Sequence, residues 1–299
     1  MKNDLAASSF LLLYASQNQQ MKVIADSGSS KTDWFLIDEN RTLERFETKG
    51  FNPYFHTTDS IVSEIGDTFQ SLTLKELNEV HFYGAGCSSK ERMDLVKKAL
   101  ESVFVGVKIF VSHDLLGSAR AACGKQKGLA GILGTGSNCC SFDGVEIIDS
   151  FPSGGYSIGD EGGGVNLGRR VLKAYIEDYL PTDLRIAFDR KYATNVDEIL
   201  VNLYKKPFPN RYMASFSRFT YHHREHPFVS EQILEEFTDY FSHQVMRFKQ
   251  AQEWPLSLVG SVAFYYHEYI RIVAEQFGVP IGTILEKPIS GLCLYHQDD

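Results

Sequence analysis

The amino-acid sequence predicts an α/β protein with two similar halves, each built around a glycine-rich turn between two short strands. In the second half an apolar run ends in the turn at residues 134–138, and another short strand follows. In the first half the same order of strand, Gly/Ser turn and strand occurs around residues 26–32. Both copies continue into a hairpin turn and a third strand. The repetition predicts an internal duplication with two phosphate-binding turns that face each other.

Phosphate binding is expected at these turns because glycines leave backbone N–H groups uncovered. In the second turn, Thr135 and Ser137 add hydroxyl donors. A single glycine-rich hairpin more often only reverses the chain, so the interpretation depends on the second copy.

Outside the turns the pattern alternates strands and helices. In the first half the predicted strands are 21–25, 32–37, 41–48, 79–83 and 107–111, and the predicted helices are 58–72, 90–103 and 115–123. In the second half the pattern predicts a third strand at 145–148, helices at 165–179, 196–204 and 231–249, a strand at 255–259 and a helix that follows to residue 277.

The chain length of 299 residues is sufficient for two domains of ordinary size. We expect an unstructured extension at 1–20, a first domain at 21–124 and a second domain at 125–299 with a helical insertion. We expect the last residues to pack back on the first domain. The net charge of −8 argues against a nucleic-acid partner, because polyanion binding depends on basic patches.

The five cysteines form neither a zinc-ligand pattern nor a disulfide framework, because Cys139 and Cys140 are adjacent and no Cys-x-x-Cys pair occurs. This usage is typical of a reduced cytosol. No run approaches the roughly 20 apolar residues that a membrane span needs. The sequence therefore predicts a cytoplasmic protein without a membrane partner.

Two polar residues of the first half are candidates for chemistry. Asn52 lies in an aromatic loop, where it either packs structurally or binds a sugar hydroxyl, since an amide both donates and accepts hydrogen bonds. Asp114 stands where a predicted strand ends and a helix begins. It is either a helix N-cap or a general base that points into a cleft.

The stretch 151–164 is too rich in glycine to serve core packing, which indicates close backbone approach or a loop that moves. Within it Asp160 and Glu161 form either a surface turn or a ligand-binding loop. The histidines in 222–226 have no carboxylate or cysteine at a convincing spacing, so a helical surface is favoured over a metal site.

These motifs, in this order, resemble the N-acetylglucosamine kinase and BadF/BadG-type ATPase group of the actin, hexokinase and chaperone-ATPase superfold. The resemblance extends from residue 22 to residue 294. It implies two ribonuclease H-like (actin-like ATPase) domains, each a mixed β-sheet flanked by helices, with an active-site cleft between them. It also implies ATP and Mg²⁺ as cofactors, a small-molecule sugar as substrate, and a homodimer.

The resemblance gives the glycine-rich segments nucleotide and metal roles. Asp26 would face the metal, and Gly260 with Ser261 matches a glycine-serine-valine motif on the adenosine side. The implied ATP-binding residues are Gly28, Ser29, Ser30, Lys31, Gly134, Thr135, Gly136, Gly260 and Ser261.

The resemblance places Asp114 at the family's catalytic aspartate and Asn52 at its sugar-binding asparagine. Asp160 matches the aspartate of a glycine-aspartate-glutamate-glycine motif that contacts the sugar. The implied substrate-binding residues are Asn52, Ser137, Asn138, Gly155, Tyr156 and Asp160. The chain departs from the animal enzymes at 153–156, where they carry a tryptophan near the sugar, and Tyr156 is the candidate substitute.

By this resemblance the chain is expected to be an ATP-dependent kinase of the 6-hydroxyl of an amino sugar, with N-acetylglucosamine as the expected substrate. The alternative is an ATP-hydrolysing activator of the BadF type, which needs cysteines presented to an iron–sulfur cluster. Cys87 and Cys123 are the only candidates in the N-terminal half, and neither belongs to a clear motif. A nucleotide-binding module without catalysis is disfavoured because Asp26, Asp114 and Asp160 are all present.

Overall fold

The computed structural model describes residues 20–28, 31–54, 56–69 and 77–297. The predicted extension before residue 20 lies outside the described residues, as do the candidate ligands Ser29 and Ser30 and the end of the helix predicted at 58–72.

The chain forms two compact units that divide between Asp114 and Leu115. The second unit ends at Tyr295, and His296 and Gln297 belong to the first unit. Both changes of unit fall inside helices, at the start of one and near the end of another.

The described residues of the first unit form a five-stranded mixed sheet and two helices. Its elements are β1 (Met21–Ser27), β2 (Lys31–Ile37), β3 (Thr42–Lys49), α1 (Thr58–Phe69), β4 (Leu77–Gly84), α2 (Lys90–Val103) and β5 (Lys108–His113). The strand order is β3-β2-β1-β4-β5. The first three strands form an antiparallel meander, and β4 and β5 run parallel to β1.

The core of the first unit is aromatic and centres on Trp34, which is fully buried. Its ring centroid lies 5.1 Å from that of Phe69 on α1 and 5.8 Å from that of Phe82 on β4. Large rings of this kind contribute the most apolar area per residue to a core. The indole N–H is satisfied by the Thr48 hydroxyl at 2.9 Å, so the burial of Trp34 carries no unpaired donor.

His296, near the end of the last helix, packs within the first unit. His296 is 2 % exposed, its carbonyl oxygen accepts a hydrogen bond from the Lys22 ammonium at 2.8 Å, and its Nε2 lies 2.8 Å from the Tyr83 hydroxyl. These contacts attach the end of the last helix to β1 and β4.

The second unit repeats the strand order of the first sheet. Its strands are β6 (Gly128–Leu133), β7 (Ser137–Phe142), β8 (Ile147–Ser150), β9 (Leu256–Val259) and β10 (Ile281–Leu285), in the order β10-β9-β6-β7-β8. Again the first three strands form an antiparallel meander, and the fourth runs parallel to the first. The two equivalent mixed sheets confirm the predicted duplication and the α/β fold class.

The helices of the second unit lie mostly between β8 and β9. The helices are α3 (Asp114–Cys123), α4 (Gly155–Ile158), α5 (Gly164–Ile176), α6 (Thr182–Tyr192), α7 (Val196–Tyr204), α8 (Pro209–Ser215), α9 (Ser217–His222), α10 (Pro227–His243), α11 (Ser261–Tyr265), α12 (His267–Phe277) and α13 (Ile289–Gln297). A short 3₁₀ turn, Val245–Arg247, follows α10. Within the described residues no helix has the length and apolar character that a membrane span requires.

Two local predictions need correction. The helix predicted at 231–249 ends at His243, where the 3₁₀ turn begins, and the helix predicted to residue 277 is divided at Tyr266. The buried Tyr266 hydroxyl donates to the Ser217 carbonyl at 2.7 Å, which fixes the chain at the break. Within the second unit α3 packs on α13, where a Cβ at Gly291 would lie 2.3 Å from the Ala121 carbonyl oxygen.

Candidate active site

Asp26 and Asp114 occupy the same edge of the first sheet. In the parallel registers Asp26 pairs with Tyr83, and Gly84 pairs with His113, the residue before Asp114. Carboxyl ends of parallel strands meet at one edge, which is where open α/β sheets bind ligands. Both carboxylates therefore stand at a ligand-binding edge, and Asp114 begins α3 as the sequence predicts.

Asn52 joins this edge through the turn after β4. A Cβ at Gly86 would lie 2.3 Å from the Asn52 Oδ1, and Gly86 has a φ of +83°, so only glycine fits against the amide. The Asn52 Oδ1 also accepts a hydrogen bond from the Tyr54 N–H at 3.0 Å. That contact fixes one end of the side chain and leaves the Nδ2 end to be used as a donor.

Cys87 connects the same turn to Asp114. Burial, with the negative charge of Asp114 as a second cause, raises the pKa of the Cys87 thiol to about 12. The thiol is therefore neutral at physiological pH. Asn52, the turn and Asp114 form one polar group at the edge of the sheet, which we call the first-unit site group.

Asp26 has the right surroundings for a hard cation. It lies directly opposite Asp33 in the antiparallel β1–β2 pair, so both side chains emerge on one face of the sheet. Carboxylate oxygens of this kind, supplemented by water and phosphate, are what Mg²⁺ prefers. Among the described residues no group of three or more His, Cys, Asp or Glu side chains could hold a metal ion, so a magnesium ion beside Asp26 would need water and phosphate oxygens as its other ligands.

Lys31, predicted to bind ATP, is engaged by carboxylates. Its ammonium pairs with Asp33 at 2.9 Å and also with Glu47. The hydrogen bonds that the Lys31 ammonium donates to Glu47 and then to Asp33 raise the pKa of Lys31. In the turn itself Gly28 donates its N–H to the Lys31 carbonyl at 2.9 Å, which closes the hairpin.

The turn of the second unit is attached to the start of α5. The Gly134 N–H donates to Gly136 O at 3.0 Å inside the turn, the Gly164 N–H donates to Gly134 O at 2.8 Å, and the Val165 N–H donates to Thr135 O at 2.9 Å. These bonds satisfy two amide donors of the first turn of α5 that have no partner within the helix. The exposed Thr135 at the tip stands beside a helix N-terminus, an electrostatic environment that suits phosphate.

Asp160 lies against this turn in an unusual backbone conformation. Its φ is +59°, it is 9 % exposed, and its Oδ1 accepts a hydrogen bond from the Ser137 N–H at 3.4 Å. Burial raises the pKa of the Asp160 carboxyl, an effect that the bond from Ser137 opposes. A desolvated carboxylate is a strong acceptor for a sugar hydroxyl.

Of the other predicted sugar-side residues of the second unit, Ser137 contacts Asp160 directly, and the rest lie on strand β7 and helix α4. The Asn138 Oδ1 accepts from the Cys139 N–H at 2.8 Å, and Ser137 accepts from the Gln244 side chain at 2.7 Å. Gly155 has a φ of +68° and opens the single turn of α4, which presents Tyr156 with 40 % of its surface exposed. Asn138, Ser137, Asp160 and the residues that hold them form the second-unit site group.

Two residues that the sequence analysis did not identify form hydrogen bonds with this group and its loop. One lies on α10 and the other directly after it. Gln244, just after α10, donates to Ser137 and to the Glu161 carboxylate at 2.9 Å. Glu236, only 2 % exposed, accepts from the Gly162 N–H at 2.8 Å. Both polar side chains are far from the loop in sequence, so no local pattern identifies them.

A cavity of about 720 Å³ in the second unit is lined by Gly134, Thr135 and Ser261, three of the residues predicted to bind ATP. Its other walls carry aromatic and cationic groups: Tyr221, Tyr265, Arg211, Arg218 and His222. Its volume suits a nucleoside.

Gly260 directly precedes Ser261, which lines this cavity. It has a φ of +125°, and a Cβ there would lie 2.3 Å from Leu133 O, so the position admits only glycine.

We expect Gly136→Ala to destabilise the protein more than Gly134→Ala, although both glycines belong to the second turn. A Cβ at Gly134 would meet no described atom within 4 Å, whereas one at Gly136 would lie 2.6 Å from an Asp160 carboxylate oxygen. Gly136→Ala should lower the free energy of unfolding by about 1–3 kcal/mol, the usual cost of overpacking. Gly134→Ala should change it by less than about 1 kcal/mol. Denaturant unfolding of both variants measures the difference. Equal losses of unfolding free energy would contradict the close packing of Gly136 against Asp160.

Comparison with known proteins supports one family. No family model matches the sequence, and no curated protein matches it. Among solved structures, the chain is similar to the putative N-acetylglucosamine kinase from Porphyromonas gingivalis, with 37% identity, a TM-score of 0.89, and coverage of 93% of this chain and 99% of that one.

Two more distant structures share the fold. The putative N-acetylglucosamine kinase from Chromobacterium violaceum is 15% identical with a TM-score of 0.74, over 93% of this chain and 99% of that one. A ROK family glucokinase from Streptomyces griseus, in complex with glucose and AMPPNP, is 13% identical with a TM-score of 0.56, over 93% of this chain and 98% of that one.

The paired mixed sheets, each with a glycine turn between its first two strands, define a two-domain actin-like ATPase fold. With the identity to the Porphyromonas protein, the chain belongs to the N-acetylglucosamine kinase and BadF/BadG-type ATPase family.

Proposed function

We propose that this protein is an ATP-dependent sugar kinase that transfers the γ-phosphate to the 6-hydroxyl of an amino sugar, N-acetylglucosamine. The observation that carries the proposal is the first-unit site group, in which Asn52 and Asp114 approach the same turn at the carboxyl edge of the sheet. An amide that can bind a sugar hydroxyl beside a carboxylate that can accept a proton is the minimum that this reaction needs.

ATP binding is assigned to the glycine turns and the large cavity of the second unit. Gly134 and Thr135 both belong to the second turn and line the cavity, so one ligand can contact both with its phosphates and fill the cavity with its nucleoside. Ser29 and Ser30 lie outside the described residues and remain the predicted phosphate ligands of the first turn.

In the proposed mechanism Asp114 accepts the proton of the sugar hydroxyl. As that proton leaves, the oxygen forms its bond to the γ-phosphorus, and the bond between the γ-phosphorus and the bridging oxygen breaks to release ADP. Asn52 would hold the sugar so that one hydroxyl faces Asp114, and Asn138 and Asp160 are the candidate sugar ligands of the second unit. Phosphoryl transfer depends mainly on such positioning and on charge stabilisation, so Asp114 also orients the nucleophile.

Asp26 would hold the Mg²⁺ ion through water, and the ion would supply neutralisation of phosphate charge. The carboxylate lies where the first strand ends, next to the first glycine turn.

A coupled ADP-release assay tests the proposal. Mg²⁺–ATP is supplied with N-acetylglucosamine, glucosamine, N-acetylmannosamine, N-acetylmuramate or glucose. We expect turnover with N-acetylglucosamine at least tenfold above the ATP hydrolysis measured without sugar. The absence of any sugar-dependent ADP release would refute the sugar kinase and favour the activator, which iron analysis of the purified protein then examines.

We also propose a cytoplasmic location and a homodimer. None of the five cysteines forms a disulfide, which is the state that a reducing compartment would keep. The dimer is proposed from the family resemblance, and light scattering of the purified protein measures it.

A further inference from the structure

Helix α7 presents large apolar side chains to solvent. Leu200, Val201 and Tyr204 are all exposed, and Tyr204 is 79% exposed. Tyr204 lies four and three residues after the other two, so the three side chains adjoin on one side of the helix. Ile199, by contrast, is buried in the core of the second unit. A cluster of exposed apolar side chains of this size marks an interaction surface.

Phe208 adds a second aromatic ring just beyond this helix. It has a φ of +61°, a conformation that bulky residues rarely adopt, and it is 52% exposed. The guanidinium of Arg211 lies 4.5 Å from the centroid of its ring. Backbone outliers of this kind concentrate at functional surfaces. Leu200, Val201, Tyr204 and Phe208 together form what we call the α7 face.

Opposite charges stand at the two ends of the helix. Asp197 lies in its first turn, and Lys205 directly follows its last residue. Both side chains are exposed, and neither forms an ion pair with another described residue. Val201 lies midway, four residues from each of them. The charge pattern of the α7 face is therefore antisymmetric about its centre.

A second copy of the same helix, antiparallel to the first about a two-fold axis at Val201, complements this pattern. Asp197 of each copy then meets Lys205 of the other, so that one contact contains two equivalent ion pairs. The apolar side chains lie between these pairs, as in interfaces with an apolar centre and a polar rim. A parallel arrangement would place Asp197 against Asp197 and Lys205 against Lys205, which is unfavourable.

We propose that the α7 face is the contact between two copies of this chain, which pair through antiparallel α7 helices. Self-complementary contacts of this kind are the commonest in protein dimers. The inference rests on the proposed homodimer and names its surface. None of the four residues of the α7 face is a proposed ligand of ATP or of the sugar, so the contact can be disrupted without removing such a ligand.

The experiment reverses the charges one at a time. Analytical ultracentrifugation measures the Kd of the dimer for the wild-type protein, for Asp197→Lys, for Lys205→Glu and for the variant with both changes. Native mass spectrometry examines a mixture of the two single variants, one of which carries an affinity tag so that the masses differ. Asp94→Lys and Lys98→Glu reverse exposed charges on α2 and serve as matched controls.

We expect each single reversal to raise the Kd of the dimer at least tenfold, because each places like charges opposite each other twice. The two single variants should form a heterodimer when mixed, since both ion pairs are then restored. The variant with both changes should dimerise as the wild type does, and the two controls should leave the Kd unchanged.

Tyr204→Ala tests the apolar centre of the contact. It should raise the Kd of the dimer by about 10–100-fold, as truncation of a central aromatic residue usually does. Because the ring is 79% exposed, the variant should fold normally. Its ADP release with Mg²⁺–ATP and N-acetylglucosamine, measured per protomer, should stay close to that of the wild type.

A wild-type dimer that neither the single reversals nor Tyr204→Ala weaken would overturn the inference while leaving the homodimer intact. Single variants that lose the dimer without forming a heterodimer in the mixture would overturn the antiparallel pairing. A wild-type protein that is monomeric at every concentration would overturn both the surface and the homodimer, and would leave the α7 face to a different protein. None of these outcomes depends on sugar phosphorylation, because association is measured without substrate.

Discussion

Replacing Asp114 with alanine should abolish sugar phosphorylation while the protein still folds and binds ATP. Asp114 follows the carboxyl end of β5, next to the turn that contains Gly86. Gly86 in turn packs against the Asn52 side chain. A positioned general base contributes about 10²–10⁴-fold to a rate, and here the same carboxylate also orients the hydroxyl. Single-turnover kinetics with Mg²⁺–ATP and N-acetylglucosamine measure the loss in kcat.

Two variants make the test specific. Asp114→Asn keeps the size of the side chain and removes the base, so it should lose nearly as much activity as the alanine variant. Asp94→Ala removes an exposed carboxylate from α2 and should leave kcat unchanged. Normal turnover by Asp114→Ala would refute the catalytic assignment, and loss of ATP binding in the same variant would make the role structural.

Much of the fold is predictable from the sequence because the signals are local. The strand, glycine turn and strand of each half are adjacent in sequence, and the two meanders follow from alternation over short runs. Trp34 and its aromatic neighbours supply the apolar residues that such a sheet must bury.

The features that the sequence did not reveal depend on distant contacts. Strand β10 is only partly buried and contains Gly282, so it has neither strict alternation nor a continuous apolar run. The break between α11 and α12 has no glycine or proline, and it depends on hydrogen bonds of the Tyr266 hydroxyl to Ser217 and Thr220. Such bonds cannot be inferred from spacing.

The candidate site shows the same division. Asp26, Asn52, Asp114 and Asp160 are recognisable because each lies next to a glycine turn or at a strand end. Glu236 is not recognisable, because it lies on α10 among residues of an ordinary amphipathic helix and meets the loop at Gly162 only in three dimensions.

Replacing Glu236 with leucine should cause the largest loss of stability at the site. One Glu236 oxygen accepts from the Gly162 N–H at 2.8 Å, and the other accepts from the Arg170 guanidinium at 2.6 Å. The change would leave a buried N–H without a partner and a partly buried cation without its closest carboxylate. We expect the free energy of unfolding to fall by about 3 kcal/mol, at the lower end for a broken buried pair, because Arg170 retains Asp239 at 2.9 Å.

The neighbouring Glu235 provides the control. Its carboxylate pairs with the same Arg170 at 2.8 Å, but its side chain is 53% exposed, so Glu235→Leu should cost less than about 1 kcal/mol. Thermal unfolding compares the two, and Glu236→Leu should also raise KM for the sugar because Gly162 follows Asp160 closely in the loop. If Glu236→Leu, like Glu235→Leu, cost less than about 1 kcal/mol, Glu236 would act only as a surface charge. A large loss of stability with unchanged KM would mean that the loop keeps its conformation without it.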